Sequence, residues 1–366
     1  MKRFLLWSLV PVLACAATIV RADDPPVKPD EAAKALAAAR TKGLDWLTKN
    51  QNADGSWGKT YTIAVTSFTC LSYLSAADEP FDGDRGKSLV KGLQFLMAQQ
   101  KDGEFAQQGH TWIHGQGFGT LALSEAYGRT LLCKVKPDMD LKKVKAAVAG
   151  AVKVIVKNQS TTGGWWYTQG GGEQQEGSTT VCAVQALVSA TNYGIEVDQK
   201  ALDHGFDYLK KSQLKDGGFV YKLGDAVSMK EGSAGDVATL GLMQKFDFKV
   251  MVSGYKYLLE ITPAAISAGN FPEYGHFYGC MGMRLLGEEY KDDKEYREKT
   301  AGYIAAAQKD VLSWQDKDGS WPVRGWTASG GQEGPAFATA FSTLTLFVPE
   351  ARLSIYNREP PKLPEK

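Results

Sequence analysis

A glycine–glutamine–tryptophan pattern returns along the chain with its register kept, and that repetition limits what the chain can fold into. Its fullest copy runs Lys42-Gly43-Leu44-Asp45-Trp46-Leu47-Thr48-Lys49-Asn50-Gln51-Asn52-Ala53-Asp54-Gly55-Ser56-Trp57. Close echoes stand at Lys91-Gly92, Phe95-Leu96, Gln100, Asp102-Gly103 and Phe105, and at His204-Gly205, Tyr208-Leu209, Gln213, Asp216-Gly217 and Phe219. Looser copies place Gln159 before Gly163-Gly164-Trp165, and Gln315 before Asp318-Gly319-Ser320-Trp321. A degenerate copy at Gly254–Leu258 has Thr262 where the glutamine should stand. The six markers are spaced by 49, 59, 54, 49 and 53 residues. Regular self-similarity on this scale marks stacked supersecondary units rather than one irregular core.

Each step also holds a second segment rich in small and apolar residues: 65–75, 115–127, 178–190, 233–245, 276–286 and 335–347. Apolar residues recur there at three- and four-residue intervals, as in Val181, Val184, Ala186, Leu187 and Val188, which is helical periodicity. Asp-Gly and Gly-Gly turns end the first helix of each pair. No sustained alternation marks a strand. The reading is an all-α chain of about six helix hairpins, near 31–80, 86–132, 141–193, 198–247, 248–290 and 293–350. Such hairpins curve either into an open solenoid or into a closed ring, and periodicity does not choose between them.

The sixteen-residue pattern of Lys42–Trp57 resembles the glutamine–tryptophan repeat of squalene and oxidosqualene cyclases and the related repeat of protein prenyltransferase β subunits. The resemblance extends over most of residues 31–350. It implies a single α/α toroid, with outer helices around an inner ring whose N-terminal ends open on a central cavity. The repeated glutamine and tryptophan then tie one hairpin to the next and are not a binding site.

Lys2-Arg3, the apolar stretch 4–20 and the small residues before Asp23 read as a signal peptide over 1–22, followed by a polar linker over 23–30. A lipoprotein box at Val12-Leu13-Ala14-Cys15 is the alternative processing signal. Export is the expectation from either. No later stretch is long and apolar enough to span a membrane. The remaining cysteines, Cys70, Cys133, Cys182 and Cys280, have no paired spacing and read as small buried residues. Lys+Arg 42 against Asp+Glu 41 offers no electrostatic basis for nucleic-acid binding. Residues 351–366 read as a polar C-terminal tail.

Chemistry in a toroid belongs at the inner-helix starts. Glu176-Gly177-Ser178, Glu231-Gly232-Ser233 and Glu333-Gly334-Pro335 each stand directly before an inner helix, with Glu273-Tyr274-Gly275 a fourth variant. These glutamates are either helix caps or a ring of carboxylates at a cavity mouth, able to bind a cation or act as acid and base. His110 and His114 flank Trp112 at the second inner helix, His276 opens the fifth, and His204 sits on an outer helix. The segment Tyr274-x-His276-x-x-x-Cys280 resembles the zinc-ligand histidine segment of protein prenyltransferases, and Asp236 stands at the matching aspartate position. Ala238 replaces the ligand cysteine there, so the set is incomplete; no metal and no cofactor is assigned. The cyclases' aspartate-rich acid segment is absent as well. Asp236, His276, His114 and Glu231 are the candidate acid–base residues. His110, Trp112, Trp165, Trp166, Glu176, Tyr274, Tyr278, Trp326 and Glu333 are the candidate ligand contacts, with Tyr167, Phe271 and Arg324 beside them.

Three functions fit these residues: binding or modifying an apolar isoprenoid-type ligand; carbohydrate chemistry on rim carboxylates such as Glu173, Glu176, Glu231 and Glu333; or a protein-binding scaffold without catalysis.

Overall fold

The computed structural model of the protein describes residues 29–170, 172–325 and 334–364. The signal segment with its Cys15 box, Trp326 and Glu333 lie outside the described residues. Twelve α-helices are present among the described residues. The odd-numbered ones form the outer layer: α1 (Pro29–Lys49), α3 (Gly83–Ala98), α5 (Leu141–Lys157), α7 (Gln199–Ser212), α9 (Lys249–Ser267) and α11 (Lys294–Ser313). The even-numbered ones form the inner layer: α2 (Thr62–Ala76), α4 (Ile113–Leu132), α6 (Gly177–Asn192), α8 (Lys230–Leu242), α10 (Pro272–Glu289) and α12 (Gly334–Phe347). A two-stranded hairpin, β1 (Gln100–Lys101) and β2 (Glu104–Phe105), shapes the second repeat's turn, where no strand was expected.

The two layers differ in sequence because they differ in burial. Outer α5 buries one stripe, Val144, Val148, Ala151, Val152 and Ile155, and leaves its lysines in water. Inner α6 is buried without a break over residues 179–190. Serine and threonine are tolerated in such helices because their hydroxyls bond back one turn, as Ser67 does to Ile63 O and Ser72 to Phe68 O. Asp82, Asp140, Asp198 and Asp293 each cap an outer helix. The inner helices pack in sequence order, and α12 packs back on α2, so the ring is closed.

The repeat pattern makes the junctions between hairpins. Gln51 Nε2 donates to Gly55 O in its own turn and to Ser88 O on the next outer helix, both at 2.9 Å. Gln159 and Gln213 do the same to Ala201 O and Val250 O, and Gln315 reaches Ala39 O of α1 at 2.9 Å. That last bond joins the sixth hairpin to the first. The indole N–H groups of Trp57, Trp165 and Trp321 donate to carbonyls of the preceding outer helix, at 2.6, 2.8 and 2.7 Å. The glutamine thus ties hairpins by hydrogen bonds, and the tryptophan locks its own hairpin while its ring packs beside the next outer-helix glycine. A methyl group at Gly92 would meet the Trp57 ring at 2.7 Å, and one at Gly43 the Trp321 ring at 2.8 Å.

Two junctions depart from the pattern. The second turn is one residue shorter than the first, and Gln100 makes no such tie; its Nε2 is buried without a partner. Gln116, on inner helix α4, takes over. Its amide donates to Gly103 O at 2.9 Å and Ala151 O at 3.3 Å, and its oxygen accepts from Phe105 N at 2.9 Å. In the fifth hairpin α9 breaks at Thr262 (φ 51°) before Pro263 and runs on to Ser267.

The segment expected as a polar tail is packed at its start. Leu353, Ser354, Ile355 and Tyr356 are buried against α6 and α10, because Glu125 inside the ring binds them. Its carboxylate accepts from Ser354 N (2.9 Å), Ser354 Oγ (2.5 Å), Ser189 Oγ (2.7 Å) and Tyr193 OH (2.9 Å). The four described cysteines are free and buried.

The altered second junction is testable. Gln116→Leu strips partners from three backbone groups and is expected to cost about 2–4 kcal/mol in urea unfolding, while Gln100→Ala stays within about 0.5 kcal/mol of the parent. The reverse order of effects would return the tie to Gln100.

Candidate functional site

A cavity of about 650 Å³ opens at the N-terminal ends of the inner helices. Their position there follows from a register. The backbone N–H of each repeat's aromatic is held by an inner-helix side chain: Trp57 by Thr66, Phe105 by Gln116, Trp165 by Thr180, Phe219 by Ser233 and Trp321 by Thr339. Two residues before each stand Ala64, His114, Ser178, Glu231 and Phe337. Four of these five line the cavity; at α8 the following Gly232 does so instead of Glu231.

One arc of the wall, from α2, α4 and α12, is hydrocarbon. Phe68 lies with its ring centre 4.3 Å from Phe118 and 4.1 Å from Phe341, and Phe337 lies 4.8 Å from Phe341. Ala64 and Val65 complete this arc. The opposite arc is aromatic and hydroxylic. Tyr167 and Tyr221 share a hydrogen bond of 2.7 Å, and Tyr61 OH bonds His110 Nδ1 at 2.8 Å. Tyr61 holds a left-handed backbone (φ 48°) at the start of α2. Gly109 opposite it must lack a side chain, since a methyl group there would lie 2.6 Å from the Tyr61 ring.

The chain His114–Ser178–Glu176 crosses from α4 to α6. Ser178 Oγ donates to Glu176 Oε2 at 2.9 Å and lies 3.4 Å from His114 Nε2, while His114 Nδ1 lies 2.9 Å from Thr111 Oγ1. The serine has one proton and gives it to Glu176, so His114 Nε2 carries the proton toward Ser178 and Nδ1 accepts from Thr111. Burial and the neighbouring His110 hold His114 down to a pKa of about 4. Glu176 is the N-cap of α6, accepting from Thr179 N at 2.7 Å; burial still pushes its pKa up against those hydrogen bonds.

The other glutamates work differently. Glu231 Oε1 accepts from Phe271 N at 3.1 Å, and Glu273 Oε1 from Arg324 N at 2.8 Å. Each carboxylate therefore holds the loop of the next hairpin. Backbone bonds do the same elsewhere: Trp112 N to Tyr167 O at 2.7 Å and Gly177 N to Tyr221 O at 2.9 Å. A hydrogen-bonded collar runs around the mouth.

Of the residues expected at a site, His110, His114, Glu176 and Tyr274 line the cavity, as do Tyr167 and Phe271. Trp112, Trp165, Trp166 and Tyr278 are not among the described lining residues. Trp165 is committed to its hairpin lock, and Tyr278 is fully buried, donating to Gln185 Oε1 at 2.7 Å. Asp236 lies behind Gly177, buried, with Oδ1 lacking a hydrogen bond; burial and the nearby Glu176 push its pKa well up. His276 faces the outer layer: Nε2 lies 2.9 Å from Ser267 Oγ, which donates to Asp310, and its ring packs on Trp314. Burial and Arg324 hold it near a pKa of about 3. Asp236 and His276 therefore face different neighbours and do not form a shared ligand set. Among the described residues no three His, Cys, Asp or Glu side chains are grouped to hold a metal. Tyr61, Phe68, Phe118, Ser178, Tyr221, Phe337 and Phe341 were not expected on the wall. Aligning the inner helices on Thr66, Gln116, Thr180, Ser233 and Thr339 is the signal that finds the inner-helix residues among them.

Both depressed histidines disfavour the charged ring, so their contribution to stability is present above the ordinary value of 6.5. It is lost as pH falls through about 4 for His114 and about 3 for His276. Long-range proton–nitrogen NMR is expected to show both rings neutral from pH 8 down to about 5, with His114 protonated on Nε2. A midpoint above pH 6 for either ring would contradict the packing described.

The prenyltransferase alpha-alpha toroid domain family model matches residues 30–225 and 256–361. No curated protein matches the chain. Among solved structures, the apo type II terpene cyclase MstE from Scytonema superposes with a TM-score of 0.56 at 16% identity, covering 87% of this chain and 98% of that one. A variant of that cyclase in complex with geranylgeranyl dihydroxybenzoate gives 0.54 at 13%, covering 89% and 100%. An inactive variant of an α-1,6-mannanase of Salegentibacter sp. in complex with α-1,6-mannotriose gives 0.58 at 10%, covering 85% and 99%. At these identities the superpositions establish the toroid alone, and the ligands differ between the neighbours. The family match carries further: it covers both sides of the ring closure and five of the six inner helices, and the protein belongs to the prenyltransferase alpha-alpha toroid domain family.

Proposed function

We propose that the protein is exported and that its cavity binds, and acts on, one apolar ligand of the isoprenoid type. The observation that carries this reading is the phenylalanine arc: Phe68, Phe118, Phe337 and Phe341 face a cavity of about 650 Å³ with Ala64 and Val65 beside them. A cavity of that size suits a small-molecule ligand, and hydrocarbon walls hold a chain by area removed from water. The terpene cyclase neighbour bound to geranylgeranyl dihydroxybenzoate supports the same class. A carbohydrate reading draws support from the mannanase neighbour. It needs carboxylates free to act on a glycosidic bond. Glu231 is engaged with the Phe271 N–H and does not line the cavity, and the hydrocarbon arc favours the isoprenoid.

Glu176, Ser178 and His114 form one hydrogen-bonded chain on this wall. Glu176 is the acid–base candidate, and His114 with Ser178 is its positioning chain. The export reading rests on residues 1–22.

Geranylgeraniol titrated into the protein and followed by tryptophan fluorescence tests the reading. Saturable binding is expected, and Ala64→Trp, which fills the hydrocarbon arc from α2, is expected to weaken it by about tenfold or more with the circular dichroism unchanged. Absence of binding to the parent protein, together with binding of mannose oligomers, would move the assignment to carbohydrate.

A further inference from the structure

The wall of this cavity is one-sided in charge. The described lining carries two carboxylates, Glu176 and Glu273, and neither a lysine nor an arginine. The sequence between Gly325 and Gly334 contains no lysine or arginine either. Of the two lining histidines, His114 is held neutral at physiological pH. The Glu176 carboxylate is 2% exposed, and its described contacts are Thr179 N, Ser178 Oγ and the Thr179 turn, with no ion pair to a described cation. Asp236, a titratable neighbour of Glu176 behind the wall, is an acid.

Around Glu176 the rings are already fixed. His114 and Tyr167 stand nearly perpendicular with centres 5.7 Å apart, His110 lies 6.0 Å from Tyr167, and Tyr61 lies 5.8 Å from His110. The two hydrogen-bonded pairs, Tyr61–His110 and Tyr167–Tyr221, keep these rings in place without a ligand. Ring faces are the negative ends of aromatic quadrupoles, and a desolvated cation held among them beside a carboxylate is bound by both. A phosphate or carboxylate at the same place would meet the Glu176 carboxylate and ring faces, with no lysine or arginine among the described lining residues to pair with.

We propose that the ligand carries an alkylammonium group, seated at Glu176 among Tyr61, His110, His114 and Tyr167, with its hydrocarbon chain along the Phe68–Phe118–Phe341 arc. This rests on the cavity-binding reading above and adds the charge of the ligand to it. The same wall excludes phosphorylated and diphosphorylated chains.

Three probes of one chain length separate the cases: decyltrimethylammonium, decanol and decyl phosphate, each below its micelle concentration, titrated into the full mature chain by calorimetry. The ammonium is expected to bind about tenfold or more tighter than decanol, and decyl phosphate weakest. Glu176→Gln is expected to bring the ammonium down to decanol's affinity while leaving decanol unchanged. Should Glu176→Gln fail to fold through loss of the α6 cap, Tyr167→Leu is expected to narrow the same gap. Decanol binding as tightly as the ammonium, or decyl phosphate binding tightest, overturns the proposal and leaves the apolar-cavity reading standing. No binding of any probe, with geranylgeraniol also unbound, overturns both.

Discussion

Every hairpin but the fifth meets the next through a glycine in its turn that lies directly against the neighbouring outer helix. Side chains at Gly55, Gly163, Gly217 and Gly319 would run into Lys91 O, His204 O, Ser253 O and Lys42 O at 2.2–2.6 Å. All four hold positive φ, so the same absence of a side chain permits both the turn and the approach. Backbone contact this close sets the rotation from one hairpin to the next more tightly than side-chain packing would. Repeated around the chain, that rotation brings Gly319 onto α1, and the ring closes with Gln315 bonded to Ala39 O.

Closure determines what the centre can be. Six inner helices run in the same direction, so their N-terminal ends gather at one mouth and bring their unpaired N–H groups with them. The collar answers that demand at several starts: Gln108 accepts from Ile63 N, Tyr167 O from Trp112 N, Glu176 from Thr179 N and Glu231 from Phe271 N. At the other end Glu125 draws in Ser354 and with it Leu353 and Tyr356. The carboxylate is fully buried and met by four donors, which is how a desolvated acid is accommodated inside a ring of apolar helices. A bowl with one mouth results, and the residues able to meet a ligand are those of the collar and the first turns below it.

How much of this the chain announces depends on the kind of constraint. Helix positions and the two layers follow from local pattern: one apolar stripe in α5, small residues throughout α6. The closed ring does not, since a junction of the same form also builds an open solenoid; the resemblance supplied it and the Gln315–Ala39 bond shows it. The site was legible where register carried it, as at His114 and Glu176, and illegible where chemistry alone was the guide. Trp165 beside two glycines reads as a ligand platform, yet its indole N–H belongs to Ile155 O. Asp236 and His276 match a motif by position, but a motif does not say which way a side chain on a buried helix turns. His276 turns outward to Ser267, and the cavity lies on the other side. The substitution of Gln116 for Gln100 was hidden because a turn shortened by one residue moves the tie to another element.

A glutamate at an inner-helix start has two calls on it, the helix N–H groups and the loop of the next hairpin, and Glu231 and Glu273 satisfy the second. Glu176 satisfies the first, through Oε2, and its neighbouring loop is held instead by the Gly177 amide. Ser178 bonds that same oxygen, which places the proton of His114 on Nε2 and commits Nδ1 to Thr111. His114 then has no lone pair to offer a ligand and acts only by what it holds in place. Burial keeps the Glu176 proton affinity high, whereas a cation beside it would lower that affinity. The charge of the ligand and the protonation of Glu176 are therefore coupled: a cation seated beside Glu176 favours its carboxylate form.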